Sequence, residues 1–220
     1  CCPVRVPFEV YLVIMPHGGL EDYTSFLHEL GHTLHFAHTS DSLPIAAKRL
    51  GDNSVTEAYA GVFENLTVNT EWLLRRLGIE DASEYMRYMK FFELYMLRRY
   101  CAKLHYEMEL HGGARAAEEW PGMYSEILSG ATGVKYDPEF YLQDVDSHFY
   151  CVRYLRSWMF ERQIRKVLES KFGPAWFDER EAGDFQLKLW SQGQRHKADA
   201  LSTAMGFDGL DFEEIIPDYT

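Results

Sequence analysis

The run Phe8-Glu9-Val10-Tyr11-Leu12-Val13-Ile14-Met15 is β-branched and aromatic and stops at Pro16-His17-Gly18-Gly19. It predicts the clearest strand of the chain. From there the apolar period becomes helical. Leu27, Leu30 and Leu34 recur at i, i+3 and i+7, which predicts a helix with a stripe to bury, opening at Glu21-Asp22 and ending near His38-Thr39-Ser40. Residues 41–52, with Pro44 and Gly51, read as a loop with a short turn. Asn53 to Leu66 reads as a helix whose small-residue side is Ala58, Gly61 and Val62. Asn69 to Gly78 is a short amphipathic helix with a glycine stop. Asp81-Ala82-Ser83-Glu84 starts a long helix through Met89, Phe92, Met96 and Cys101 to about Leu110, its Met, Tyr and Phe stripe read as core. A short helix follows over Trp120–Gly130. A helical region then runs from Asp137-Pro138 to Lys171, broken near Asp144–Ser147 and stopped by Phe172-Gly173-Pro174. From Arg180 a helical cap reaches Met205-Gly206, and an acidic tail ends the chain. The expectation is a mainly α fold with a small β-sheet edge near the N-terminus, in a single domain over 1–220.

Composition narrows the function classes. With 220 residues, 46% of them hydrophobic, one sizeable core is expected. The net charge is −12, from 34 acidic against 22 basic residues. No basic stripe is present to neutralise phosphates, so no nucleic-acid partner is expected. No apolar run is long enough for a membrane helix, and no signal peptide is expected. Cys1, Cys2, Cys101 and Cys151 have no metal-binding spacing, so free thiols and a cytoplasmic location are expected. The chain begins Cys1-Cys2 rather than Met, the pattern of a processed product or a piece of a longer chain.

The candidate chemistry lies in Phe26-Leu27-His28-Glu29-Leu30-Gly31-His32. Residues four apart stack on one helix face, so His28 and His32 can grip one metal ion, with Glu29 beside them to hold its water. Gly31 costs a helix about 1 kcal/mol relative to Ala, and the expected return is close approach of another backbone. His35 shares the face and is read as supporting a ligand or packing, since a fourth protein ligand would close a catalytic site. A third ligand is sought on the next helix, where Glu57, Gly61 and Glu64 fall on one face.

Here the residues resemble a family. His28-Glu29-x-Gly31-His32, with Glu57 and Glu64 following, is similar to the thimet oligopeptidase and oligoendopeptidase F family of gluzincin zinc peptidases. The resemblance implies a zincin-like helical catalytic domain, one Zn2+ held by His28, His32 and Glu57, Glu29 as general base, and Glu64 as the carboxylate that orients a ligating imidazole. The predicted strand suits either the edge on which zincins align an extended peptide or an ordinary hairpin. Gly18 and Gly19 would let backbone approach the substrate closely.

The family also has a His- and Tyr-rich stretch whose tyrosines stabilise the tetrahedral intermediate. Tyr154-Leu155-Arg156-Ser157 resembles its Tyr-Leu-Trp-Ser segment, which carries the role to Tyr154. The family's Gly-Gly-Tyr before that segment is missing, so His148 and Tyr150 both stand for the second role. The expected function is zinc-dependent hydrolysis of short peptides. Family members are longer, and their N-terminal helical half forms the opposite cleft wall. The resemblance covers their C-terminal catalytic part, so a second chain or that half is an expected partner beside the peptide. Two alternatives stay open. One is a zinc carboxypeptidase with Arg153 or Arg156 holding the terminal carboxylate. The other is a non-catalytic helical interaction module, against which Glu29 speaks.

Overall fold

A computed structural model describes residues 1–113 and 115–216. The chain is mainly helical, with a small two-stranded antiparallel sheet at its N-terminal end. The described residues fall into two compact units, residues 1–83 with 156–216, and residues 84–155.

In the first unit, β1 (Cys2–Arg5) pairs with β2 (Glu9–Tyr11), Cys2 opposite Tyr11 and Pro3 opposite Val10. The strand expected over Phe8–Met15 is therefore shortened. Its partners run out at Tyr11, and Val13 and Met15 beyond it are exposed. Two glycines with positive φ, Gly18 (+97°) and Gly19 (+85°), turn the chain into α1 (Leu20–Ala37). Asp22 fastens that entry, accepting the backbone N–H of His17 at 2.9 Å and of Gly18 at 2.7 Å. The buried face of α1 is Leu27, Gly31 and His35, with Phe36 beside it. It lies one step round from the leucine stripe, and Leu30 and Leu34 are only half-buried.

The short α2 (Ile45–Arg49) occupies the predicted loop. α3 (Asn53–Glu64) starts at Asp52, whose carboxylate accepts the N–H of Ser54 at 3.0 Å and of Ala198 at 3.1 Å. Val55, Ala58, Tyr59, Ala60 and Val62 of α3 are buried. The close approach expected at Gly31 is present. A Cβ there would stand 2.6 Å from Ala60 Cα and 2.7 Å from the Tyr59 carbonyl oxygen, so only hydrogen fits between the two backbones.

Further on, α4 (Thr70–Leu77) is capped by Asn69, which accepts the Trp72 N–H at 2.9 Å, and stops at Gly78. α5 (Ser83–Gly112) and α6 (Trp120–Thr132) form most of the second unit. Its core is Ala102, Tyr106, Trp120, Tyr124 and Leu128. The stripe predicted as core is not buried. Phe92 is 43% exposed, Cys101 is exposed, and Met89 and Met96 are half-buried. α6 supplies buried partners only to the later part of α5, where Ala102 and Tyr106 take over.

The helical region expected from Asp137 is also different. A single 3-10 turn stands at Pro138–Phe140, the expected break near Asp144–Ser147 is present, a left-handed turn follows at Ser147–Phe149, and α7 begins only at Tyr150, running to Phe172. His148 and Phe149 have φ of +58° and +53°, a left-handed step no helix passes through. α7 stops at Gly173 as expected. α8 (Arg180–Trp190) and α9 (Ala198–Ala204) complete the first unit, with Phe160, Ile164, Leu168, Trp176 and Trp190 buried in it. The end of the acidic tail, 217–220, lies outside the described residues.

Gly31→Ala should destabilise the fold by about 1–3 kcal/mol through overpacking. Gly183→Ala on α8, whose Cβ would meet nothing within 4 Å, should be neutral or stabilising by up to about 1 kcal/mol. Thermal unfolding of the two variants checks this, and equal melting temperatures would contradict the α1–α3 contact.

Candidate metal centre

His28 and His32 stand one turn apart on α1, and Glu57 faces them from α3. The Nε2 atoms of both imidazoles are 3.6 Å from Glu57 Oε2. The donor atoms of the three residues all lie within 4.8 Å of one another. Each ring is held from behind. His28 Nδ1 is 2.7 Å from Glu64 Oε2, and His32 Nδ1 is 2.8 Å from Thr56 Oγ1. A neutral imidazole carries a single N–H, and a hydrogen placed on Nδ1 leaves Nε2 as a lone pair facing Glu57. Glu57 and Glu64 both reach α1 because residues seven apart share a helix face. Gly61 lies between them. It faces α7, where its Cβ would meet Glu161 Cγ at 2.9 Å.

The donor set fits a zinc ion. Two imidazoles and a carboxylate make the three-ligand set of hydrolytic zinc sites. Nitrogen and oxygen ligands about 2.0–2.1 Å from zinc in tetrahedral array stand about 3.3 Å apart, within a few tenths of the two separations between the imidazoles and Glu57. Buttressed Nδ1 atoms are the usual second feature of such sites.

The charges are tightly coupled. Burial pushes the His28 pKa down, but Glu57 and Glu64 outweigh it and hold it at about 9. Burial pushes Glu57 up, and the two imidazoles outweigh that, bringing it to about 2. Glu29, next to His28 on α1, has its carboxyl raised by burial. The amino group of Cys1 lies against it. His35 is fully buried between Phe36 and Tyr59, with Nδ1 3.0 Å from Thr56 Oγ1. It supports the site rather than joining the donor set. Gly18 and Gly19 have a local use in the turn fastened by Asp22.

His148, Tyr150 and Tyr154 belong to the second unit. His148 is not on the helix with the tyrosines but in the left-handed turn before it. The rings of Tyr150 and Tyr154 meet at 5.4 Å, Tyr154 also meets Tyr100 at 5.6 Å, and the Arg153 guanidinium lies 4.8 Å over Tyr150. Arg156, in the first unit, donates to Asp199 at 2.5 Å and to Asp52 at 3.2 Å. Its charge is spent within the fold.

Glu107, Asp146 and Cys151 form a second group of possible ligands. This cluster has its own cation. The buried Lys103 ammonium is 3.0 Å from Asp146, 3.4 Å from Asp144 and 3.8 Å from Glu107. The Cys151 thiol donates to Glu107 at 3.5 Å, and burial and the Glu107 charge push its pKa to about 12. That is an ion-pair core.

Thr56 is the site residue that sequence reasoning missed. It precedes Glu57 as one threonine among many, with no spacing to mark it.

No protein-family model, curated protein or solved structure matches the chain.

Metal analysis of the purified protein should give about one zinc per chain, and Glu57→Ala should lose most of it, because two imidazoles alone leave the set one ligand short. Unchanged zinc content in that variant would remove Glu57 from the site.

Proposed function

We propose that this chain is a zinc-dependent peptidase that hydrolyses short peptides. The observation that carries the proposal is the convergence of His28 Nε2, His32 Nε2 and Glu57 Oε2 on one point, with Glu29 following His28 on α1 and its carboxyl within the influence of the His32 and Glu57 charges. His28, His32 and Glu57 would hold the ion. A zinc ion bound there would lower the pKa of a water and polarise a substrate carbonyl. Glu29 takes the proton of the attacking water on its carboxylate and passes it to the departing amine. Burial suits it to both steps, since a carboxyl with a raised pKa gives up its proton less readily than an exposed one and so can hold it between them. Glu64 and Thr56 keep the two imidazoles aimed.

The similarity of His28-Glu29-x-Gly31-His32, Glu57 and Glu64 to the oligopeptidase pattern supports a peptide as substrate. The carboxypeptidase alternative loses one of its two arginines, because Arg156 is already paired with two carboxylates. The four cysteines, all free among the described residues, favour work in a reducing compartment such as the cytoplasm.

Glu29→Gln should keep zinc and fold while lowering peptide hydrolysis by about 10²–10⁴-fold, as loss of a general base does. The measurement is a peptide digest read by mass spectrometry, run beside zinc analysis of the same sample. Retention of more than about a tenth of wild-type activity would exclude Glu29 as the base.

A further inference from the structure

The two histidines of the donor set are supported unequally. A carboxylate stands behind His28, whereas behind His32 stands a hydroxyl that is itself shared. Thr56 Oγ1 is 2.8 Å from His32 Nδ1 and 3.0 Å from His35 Nδ1. A hydroxyl has a single hydrogen to donate and two lone pairs to accept with. It can accept from one ring and donate to the other, and the direction decides which nitrogen of His32 is bare.

Resting on the zinc reading above, we infer that Thr56 is the positioning residue of His32. Its hydroxyl accepts the His32 Nδ1–H and donates its own hydrogen to His35 Nδ1, leaving His32 Nε2 bare toward Glu57. The reverse direction puts a hydrogen on His32 Nε2, between the ring and any cation.

His35 suits the terminal place. It is fully buried, with its ring against Phe36 and Tyr59. Burial pushes its pKa to about 3, so it stays neutral and offers one lone pair and one N–H. Its Nε2 makes no hydrogen bond of ordinary geometry, though the Gly193 backbone favours a proton on the ring. With its hydrogen on Nε2, the lone pair of His35 faces Thr56.

The test compares wild type, Thr56→Val and Thr56→Ser. Zinc affinity is measured by competition with a chromophoric chelator, and the histidine tautomers of zinc-loaded wild type are read by long-range 15N–1H correlation. Thr56→Val keeps the shape and removes the hydroxyl. Its zinc affinity should fall by about 10–100-fold, while Thr56→Ser should stay within about threefold of wild type. The spectra should show the hydrogen of His32 on Nδ1 and that of His35 on Nε2. Equal affinity in Thr56→Val, an equal loss in Thr56→Ser, or a hydrogen on His35 Nδ1 would each overturn the inference. If Thr56→Val does not fold, the wild-type spectrum and the serine variant decide it. Failure of the wild type to bind zinc would overturn the zinc reading and this inference together, whereas a wild type that binds zinc with an indifferent Thr56 overturns this inference alone.

Discussion

The candidate site depends on how closely α1 and α3 approach. Packed helices usually keep their axes about 8–10 Å apart, at a distance set by the side chains between them. At Gly31 there is none, and the Ala60 and Tyr59 backbone fills the space a Cβ would need. Gly31 sits between His28 and His32 on α1, and Ala60 is less than one turn beyond Glu57 on α3. The contact therefore fixes the gap between the helices where the donor atoms meet. A carboxylate side chain is short. A gap wider by the size of a methyl group would carry Glu57 Oε2 out of reach of both Nε2 atoms.

From that contact the division of labour on α3 follows. Its face toward α1 presents Thr56, Glu57 and Glu64 in turn. Glu57 reaches the front of both imidazoles, and the other two reach the back of one each. One rigid helix thus supplies the third donor and the supports for the other two, so the relative aim of all three is set by a single packing event. Burial is the second factor. It strengthens every charge interaction within the site while raising the cost of an unpaired charge. This explains how neighbouring groups separate so widely, with Glu57 brought to about 2 and His28 held at about 9.

Much of this was legible in the sequence because it is local. The stacking of His28 and His32, the placing of Glu57 and Glu64 on one face, and the boundaries of α1, α3, α4, α5 and α6 follow from spacing and end signals within one helix. Gly31 was legible because a glycine inside an apolar helix implies a close neighbour. The misreadings occur where a distant partner decides. The run after Tyr11 has strand chemistry but no partner strand. Met89, Phe92 and Met96 have core chemistry, but α6 offers its buried partners only farther along α5. The helix that Asp137-Pro138 was expected to open is a single 3-10 turn, whereas the break expected near Asp144–Ser147 is present just before α7. Thr56 was illegible for a different reason. Its importance lies in two hydrogen bonds to another helix, and a threonine in a helix is ordinary.

The two carboxylate-rich clusters show what separates a metal centre from an ion-pair core. Each gathers acidic groups beside softer ligands, and composition alone does not tell them apart. In the Glu107, Asp146 and Cys151 group the balancing charge is Lys103, an ammonium attached to the chain among the carboxylates it neutralises. It cannot leave, and a metal entering there would have to bury beside it and strip a proton from a thiol whose pKa stands near 12. Between α1 and α3 the balancing charge is a proton on an imidazole, held firmly by Glu57 and Glu64 but exchangeable with water, so that an incoming cation can displace it. A divalent ion can take its place and meet lone pairs already turned toward one point. The difference is whether the cation is covalently part of the protein, and it favours the histidine site as the one built to receive a metal.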